Sequence, residues 1–96
     1  MIGKIRRLVL DVLKPMEPNI IELAKAISLE NGVTAVNISI VEIDLKVENA
    51  KITIEGDDIN YLGIQNIIQD MGGSIHSIDE VVAGKMIIDD AGTLQD

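Results

Sequence analysis

Hydrophobic residues alternate with polar ones in four stretches of this chain and recur at helical spacing in two. From residue 4 to 13, Leu8, Leu10 and Val12 fall on one face of an extended segment, and Ile5, Arg7, Val9, Asp11 and Leu13 on the other. Both faces carry aliphatic side chains, the pattern of a central strand. Lys14-Pro15-Met16-Glu17-Pro18 interrupts it, and Pro18 suits a first helical position, where a missing N–H costs nothing. Ile20, Leu23, Ala24 and Ile27 then repeat at i, i+3, i+4 and i+7, the buried stripe of a helix that Asn31-Gly32 stops.

A second strand begins near Val33, with Val36, Ile38 and Ile40 in alternation. The parity then slips to Val41, Ile43, Leu45 and Val47. One extra residue near Ile40-Val41, a β-bulge, would keep all of them facing the core. Glu48-Asn49-Ala50 is the candidate turn into a shorter third strand carrying Ile52 and Ile54. Gly56-Asp57-Asp58 precedes a second helix, with Asp58 as the expected cap and Ile64, Ile67, Ile68 and Met71 as its stripe. Gly72-Gly73 ends that helix, and Ile75, Ile78 and Val82 lead a fourth strand.

The two halves echo one another: each helix closes on a glycine and gives way to a further apolar run. The order βαββαβ predicts an α+β ferredoxin-like sandwich, an antiparallel sheet of order 4-1-3-2 with two helices on one face. Residues 1–85 make the domain. Residues 86–96 form a C-terminal tail, where apolar Met86-Ile87-Ile88 gives way at once to Asp89-Asp90-Ala91-Gly92. A short fifth strand, docking on a neighbouring subunit and a partly ordered end all fit that pattern.

Composition narrows the function classes. The 96 residues hold 16 Asp plus Glu against 8 Lys plus Arg, a formal charge of -8. Such a field repels nucleic acid and favours cations and basic partners. There is no cysteine, so disulfides, thiolate metal sites and Cys nucleophiles are excluded, and a cytoplasmic location is expected. No signal-peptide pattern follows the N-terminus, and no apolar stretch approaches the ~20 residues of a membrane span. A domain this small gains from association, so a homo-oligomer is expected.

The sheet face away from the helices is predicted to present Arg7, Val9, Asp11 and Leu13 from the first strand. Lys51, Thr53 and Glu55 come from the third, and Ser77, Asp79 and Val81 from the fourth. This mixture of apolar and charged groups reads as a subunit interface. Asp11, Glu55 and Asp79 are candidate metal ligands for a hard divalent cation, Ca2+ or Mg2+, which takes several carboxylate oxygens. The competing assignment pairs them with Arg7 and Lys51 on the same face. His76, the single histidine, is too little for a zinc site, and a structural or surface role is expected for it. Asp57 and Asp58 are helix-capping candidates, Lys85 is an isolated cation, and no residue is assigned a catalytic role. The heavy-metal chaperones, RNA-binding sheets and acyl-phosphatases that share this fold need, respectively, a Cys-x-x-Cys, stacking aromatics and an arginine cradle; none is present.

Leu8-Val9-Leu10-Asp11-Val12-Leu13-Lys14-Pro15, Val41-Glu42-Ile43-Asp44, Lys51-Ile52-Thr53-Ile54-Glu55-Gly56 and the run His76 to Lys85 resemble an archaeal family of proteins of about this length, classed as a domain of unknown function. The resemblance spans essentially the whole chain. It implies a ferredoxin-like fold, a cytoplasmic source and homo-oligomers, with rings as one form, and it carries over no catalytic residue. More distantly, the layout resembles regulatory amino-acid-binding (ACT-type) domains. The expectation is therefore a non-enzymatic, homo-oligomeric ligand-binding or regulatory module; the alternative is a structural assembly subunit with no small-molecule ligand.

Overall fold

A computed structural model describes residues 3–91. The elements run β1 (Ile5–Pro15), α1 (Ile20–Ser28), β2 (Val33–Ile43), β3 (Val47–Gly56), α2 (Tyr61–Asp70) and β4 (Ser74–Ala83). The four strands form one antiparallel sheet in the order β2-β3-β1-β4, with β3 and β1 central. This is the α+β ferredoxin-like sandwich that the alternation predicts.

The core lies between the sheet and the helices. Leu8, Leu10 and Val12 of β1 and Ala50, Ile52 and Ile54 of β3 meet Leu23 and Ile27 of α1 and Ile64 and Ile68 of α2. Ile59, in the loop before α2, completes the cluster. The helix stripes therefore lie where their spacing puts them. Their starts differ. Asn19 caps α1: its side chain accepts from Glu22 N–H at 3.1 Å, and Glu22 reaches back to the Asn19 N–H at 3.4 Å. Pro18 thus precedes the cap. Asn60, not Asp58, caps α2, accepting from Gly63 N–H at 3.3 Å. Asp58 instead accepts from Ile5 N–H at 3.3 Å, and Asp57 pairs with Arg6 at 2.9 Å, so both tie the loop before α2 to β1. Gly32 joins α1 to β2 at a left-handed φ of +86°, where a side chain would run into the Asp58 carbonyl.

The predicted bulge is present in β2: Ile40 lies opposite Ala50 and Glu42 opposite Asn49, leaving Val41 extra. The residues beyond it do not face the core. Val41, Ile43 and Val47 are exposed, and Leu45 is 93 % exposed. The cause is length. Helices of nine and ten residues cover about 14–15 Å, whereas the eleven residues of β2 extend about 37 Å. The β2–β3 hairpin therefore runs beyond its roof. The turn comes earlier than Glu48-Asn49-Ala50. Asp44 N–H donates to the Val47 carbonyl at 2.9 Å and Asp44 Oδ1 accepts from Leu45 N–H at 2.7 Å, so β3 is as long as β4.

Strand β4 departs most from simple alternation. Ser77 lies opposite Asp11, but Ile75 lies opposite Val12, so His76 is extra. Glu80 lies opposite Val9 and Ile78 opposite Leu10, so Asp79 is extra as well. These two shifts put Ile75, Ile78 and Val81 on the helix side and Ser77, Glu80 and Val82 on the other. The predicted placement of Asp79 and Val81 on the open face is thereby corrected. No helix among the described residues is long and apolar enough to cross a membrane.

Candidate functional site

The sheet face without helices lies opposite the core. Alternation along β1 brings Arg7, Val9, Asp11 and Leu13 to this face. Their register partners in β3 are Glu55, Thr53, Lys51 and Asn49. Beyond β3, strand β2 adds Ala35, Asn37 and Ser39. The central aliphatics of the face, Val9 and Val82, are only 7 % and 5 % exposed, and the side chains around them are amides, hydroxyls and charges.

One end of this face is organised by Arg7. Its guanidinium donates to Glu55 at 2.8 Å, to Glu80 at 3.1 Å and to Asp89 at 2.9 Å. The hydrogen bond to Asp89, then those to Glu55 and Glu80, hold the guanidinium further toward its charged form than usual. Asp89 belongs to the segment after β4, which returns to the sheet here: Ile88 to Ala91 and Glu80 to Ala83 line a common cavity. Gly84 anchors the start of the return, donating to the Lys4 carbonyl at 2.8 Å while its own carbonyl accepts from Arg6 Nε at 2.8 Å. Of the expected tail, Ile88 to Ala91 thus lie beside their own β4, and residues 92–96 lie outside the described residues.

Beside this cluster, Asn37, Ser39, Lys51, Thr53 and Glu55 line a shallow groove of about 530 Å³. Among the described residues, Lys51 has no carboxylate at ion-pair distance, although Asp11 is its neighbour on β1. Asp11 instead accepts a hydrogen bond from the Asn49 amide.

The three candidate metal ligands go to different places. Glu55 lies opposite Arg7, four residues along β1 from Asp11, which separates them by about 13 Å of strand. Asp79 sits in the second β4 shift, exposed, and accepts from Ser77 Oγ at 2.7 Å. Among the described residues, no group of three or more His, Cys, Asp or Glu is placed to hold a metal ion. His76 is exposed at the first shift, and Lys85 is exposed in the bend after β4.

Two arrangements escape sequence reading. Glu80 joins Arg7 only because of the bulge at Asp79. Lys14, next to Pro15 in what reads as a breaker, is 3 % exposed; its Nζ donates to Glu48 at 2.8 Å and to the Pro15 carbonyl at 2.6 Å. The signal available for this pair was the alternation itself, since Lys14 continues the inward parity of Leu8, Leu10 and Val12.

Residues 6–96 match the model of DUF211, described as an uncharacterised ArCR family. The chain belongs to the DUF211 family. A curated protein of Methanocaldococcus jannaschii, "Uncharacterized protein MJ0319", is 52% identical over 92 residues, covering 96% of this chain and 95% of that protein. The resemblance read from the four sequence runs is therefore to the right, archaeal family. The DUF211 match supports a domain of unknown function and assigns no reaction to the Arg7 cluster or to the groove.

Proposed function

We propose that this protein is a non-enzymatic, cytoplasmic, homo-oligomeric module that binds a small polar ligand, or regulates a partner, through its open sheet face. The observation that carries the reading is the set of large aliphatic side chains left in water at the unroofed end of the sheet: Leu13, Val41, Ile43, Leu45 and Val47. Leu13, Ile43 and Val47 line one cavity there, and exposed aliphatic surface of this kind is what self-association buries. The polar groove around Lys51, with its hydroxyl and amide lining, supplies hydrogen-bonding groups for a small ligand. The charge of -8 argues against polyanions.

The divalent-cation version keeps Asp11, Glu55 and Asp79 as ligands. It requires Glu55 to leave Arg7, Asp11 to leave Asn49, and both to approach Asp79 across the sheet. The internal partners of Glu55 and Asp11 count against the cation version and leave the Lys51 groove as the ligand surface; the alternative is an assembly subunit with no small-molecule ligand. A thermal-shift screen against calcium, magnesium and amino acids, with light scattering on the same samples, separates the two. The module reading predicts an oligomer whose melting temperature one of these ligands raises. A calcium-dependent rise that disappears in the Asp11→Asn/Glu55→Gln/Asp79→Asn variant would support the cation site. An oligomer indifferent to the whole panel leaves the assembly subunit, and a monomer overturns both.

A further inference from the structure

The register of β2 and β3 builds the open-face groove in rows. Ser39 lies opposite Lys51, Asn37 opposite Thr53 and Ala35 opposite Glu55, and all six line the cavity of about 530 Å³. That volume is within the range of small-molecule sites. Successive rows are about 7 Å apart along the strands. The rows differ in chemistry. The first holds an ammonium and a hydroxyl, the second an amide and a hydroxyl, and the third a carboxylate beside a small methyl group. Among the described residues, neither Lys51 Nζ nor Thr53 Oγ1 has a hydrogen-bond partner. Ser39 Oγ donates to Asn37 Oδ1 at 3.4 Å, which leaves the Asn37 NH2 group free to donate. Three neighbouring side chains thus carry unused donors in one groove of a chain whose net charge is -8.

We propose that this groove binds a small hydroxylated monocarboxylate, with the carboxylate at Lys51 and the hydroxyl groups at Ser39, Asn37 and Thr53. The proposal rests on the reading of the open face as a ligand surface and names the class of ligand. The ammonium of Lys51 calls for an anionic group, and Asp11, its register partner on β1, takes the Asn49 amide instead. An amino acid fits less well. Its ammonium would need a carboxylate, and the one carboxylate that lines the groove, Glu55, is held by Arg7 at 2.8 Å. A phosphate also fits less well. Phosphate sites gather several cations or free backbone N–H groups, whereas this groove has a single lysine, and β3 is a central strand whose backbone is paired on both sides. The neutral amide and hydroxyls of the middle row donate and accept, which suits hydroxyl groups on the body of the ligand.

Glycerate and serine are matched probes, differing in a hydroxyl against an ammonium at one carbon. Glycerol lacks the carboxylate, inorganic phosphate replaces it, and lactate and gluconate vary the length of the hydroxy acid. These join the calcium, magnesium and amino-acid panel in thermal-shift and calorimetric titrations of the full chain. At least one of the three hydroxy acids should raise the melting temperature, and glycerate should bind about tenfold or more tightly than serine. Lys51 is exposed, so its variants should fold normally, which circular dichroism checks. Lys51→Gln should weaken hydroxy-acid binding about tenfold, and Lys51→Arg should restore most of it. Serine binding as tightly as glycerate, phosphate binding as tightly at the same Lys51-dependent site, or a hydroxy acid that binds Lys51→Gln unchanged overturns this assignment while the ligand-surface reading stands. A response to calcium, magnesium or amino acids alone has the same consequence. A protein whose melting temperature none of the probes moves overturns both.

Discussion

Removing Glu48 should destabilise this protein far more than its position near a hairpin suggests. Its carboxylate is 2.8 Å from the Lys14 ammonium, whose side chain is 3 % exposed and whose other acceptor is the Pro15 carbonyl. Glu48→Ala strands that ammonium without a counter-charge, and breaking a buried pair from one side costs about 3–5 kcal/mol. The Glu48 side chain is 16 % exposed, so some water reaches the pair and the lower end, about 3 kcal/mol, applies. For a domain of this size that corresponds to a fall in melting temperature of about 12–24 °C. Lys14→Met leaves only Glu48, which is close enough to solvent to be hydrated, and should cost about 1–2 kcal/mol. Lys14→Met/Glu48→Leu removes both charges and should return to within about 1 kcal/mol of the parent. Urea unfolding followed by circular dichroism, at one fixed protein concentration because association adds apparent stability, gives all four values. A Glu48→Ala cost below about 1 kcal/mol, or a double variant no more stable than Glu48→Ala, would refute the reasoning.

Two further outcomes test the fold. Asn19→Ala removes the acceptor of the α1 capping box and should cost about 1 kcal/mol in the same unfolding experiment, with Asn19→Gly costing only a few tenths. Ile64→Ala empties a fully buried position between α2 and the sheet and should cost about 2–5 kcal/mol.

The layered architecture was legible because it depends on periods that a sequence displays directly. Leu8, Leu10 and Val12 alternate, Leu23 and Ile27 recur one helical turn apart, and both sets reach the core. The Arg7–Glu55 pair followed from the same alternation, once the first and third strands were placed side by side. The open face was only half legible. Each shift in β4 is one extra residue, and nothing in Ser74 to Ala83 marks where the extra residues fall, so Asp79 and Val81 were assigned to a face that Glu80 and Val82 occupy. Hydrophobicity alone also misled at the hairpin. Ile43 and Leu45 look like core residues, but whether they are covered depends on how far two short helices extend over longer strands. That is a property of the assembled layers, and no local window contains it. The tail was illegible for a related reason, since Asp89 acquires its partner only after the chain has folded back on Arg7.

The unroofed hairpin end is either an association surface or bare to water. Sedimentation velocity on the parent and on Ile43→Ser/Leu45→Ser, side by side at micromolar concentration, tests it most directly. Both side chains are exposed, so the variant should fold normally. If it is an association surface, the parent sediments well above 10.4 kDa and the variant at that mass. A parent sedimenting as a single 10.4 kDa chain, or a variant that keeps the parent's assembly, would contradict it.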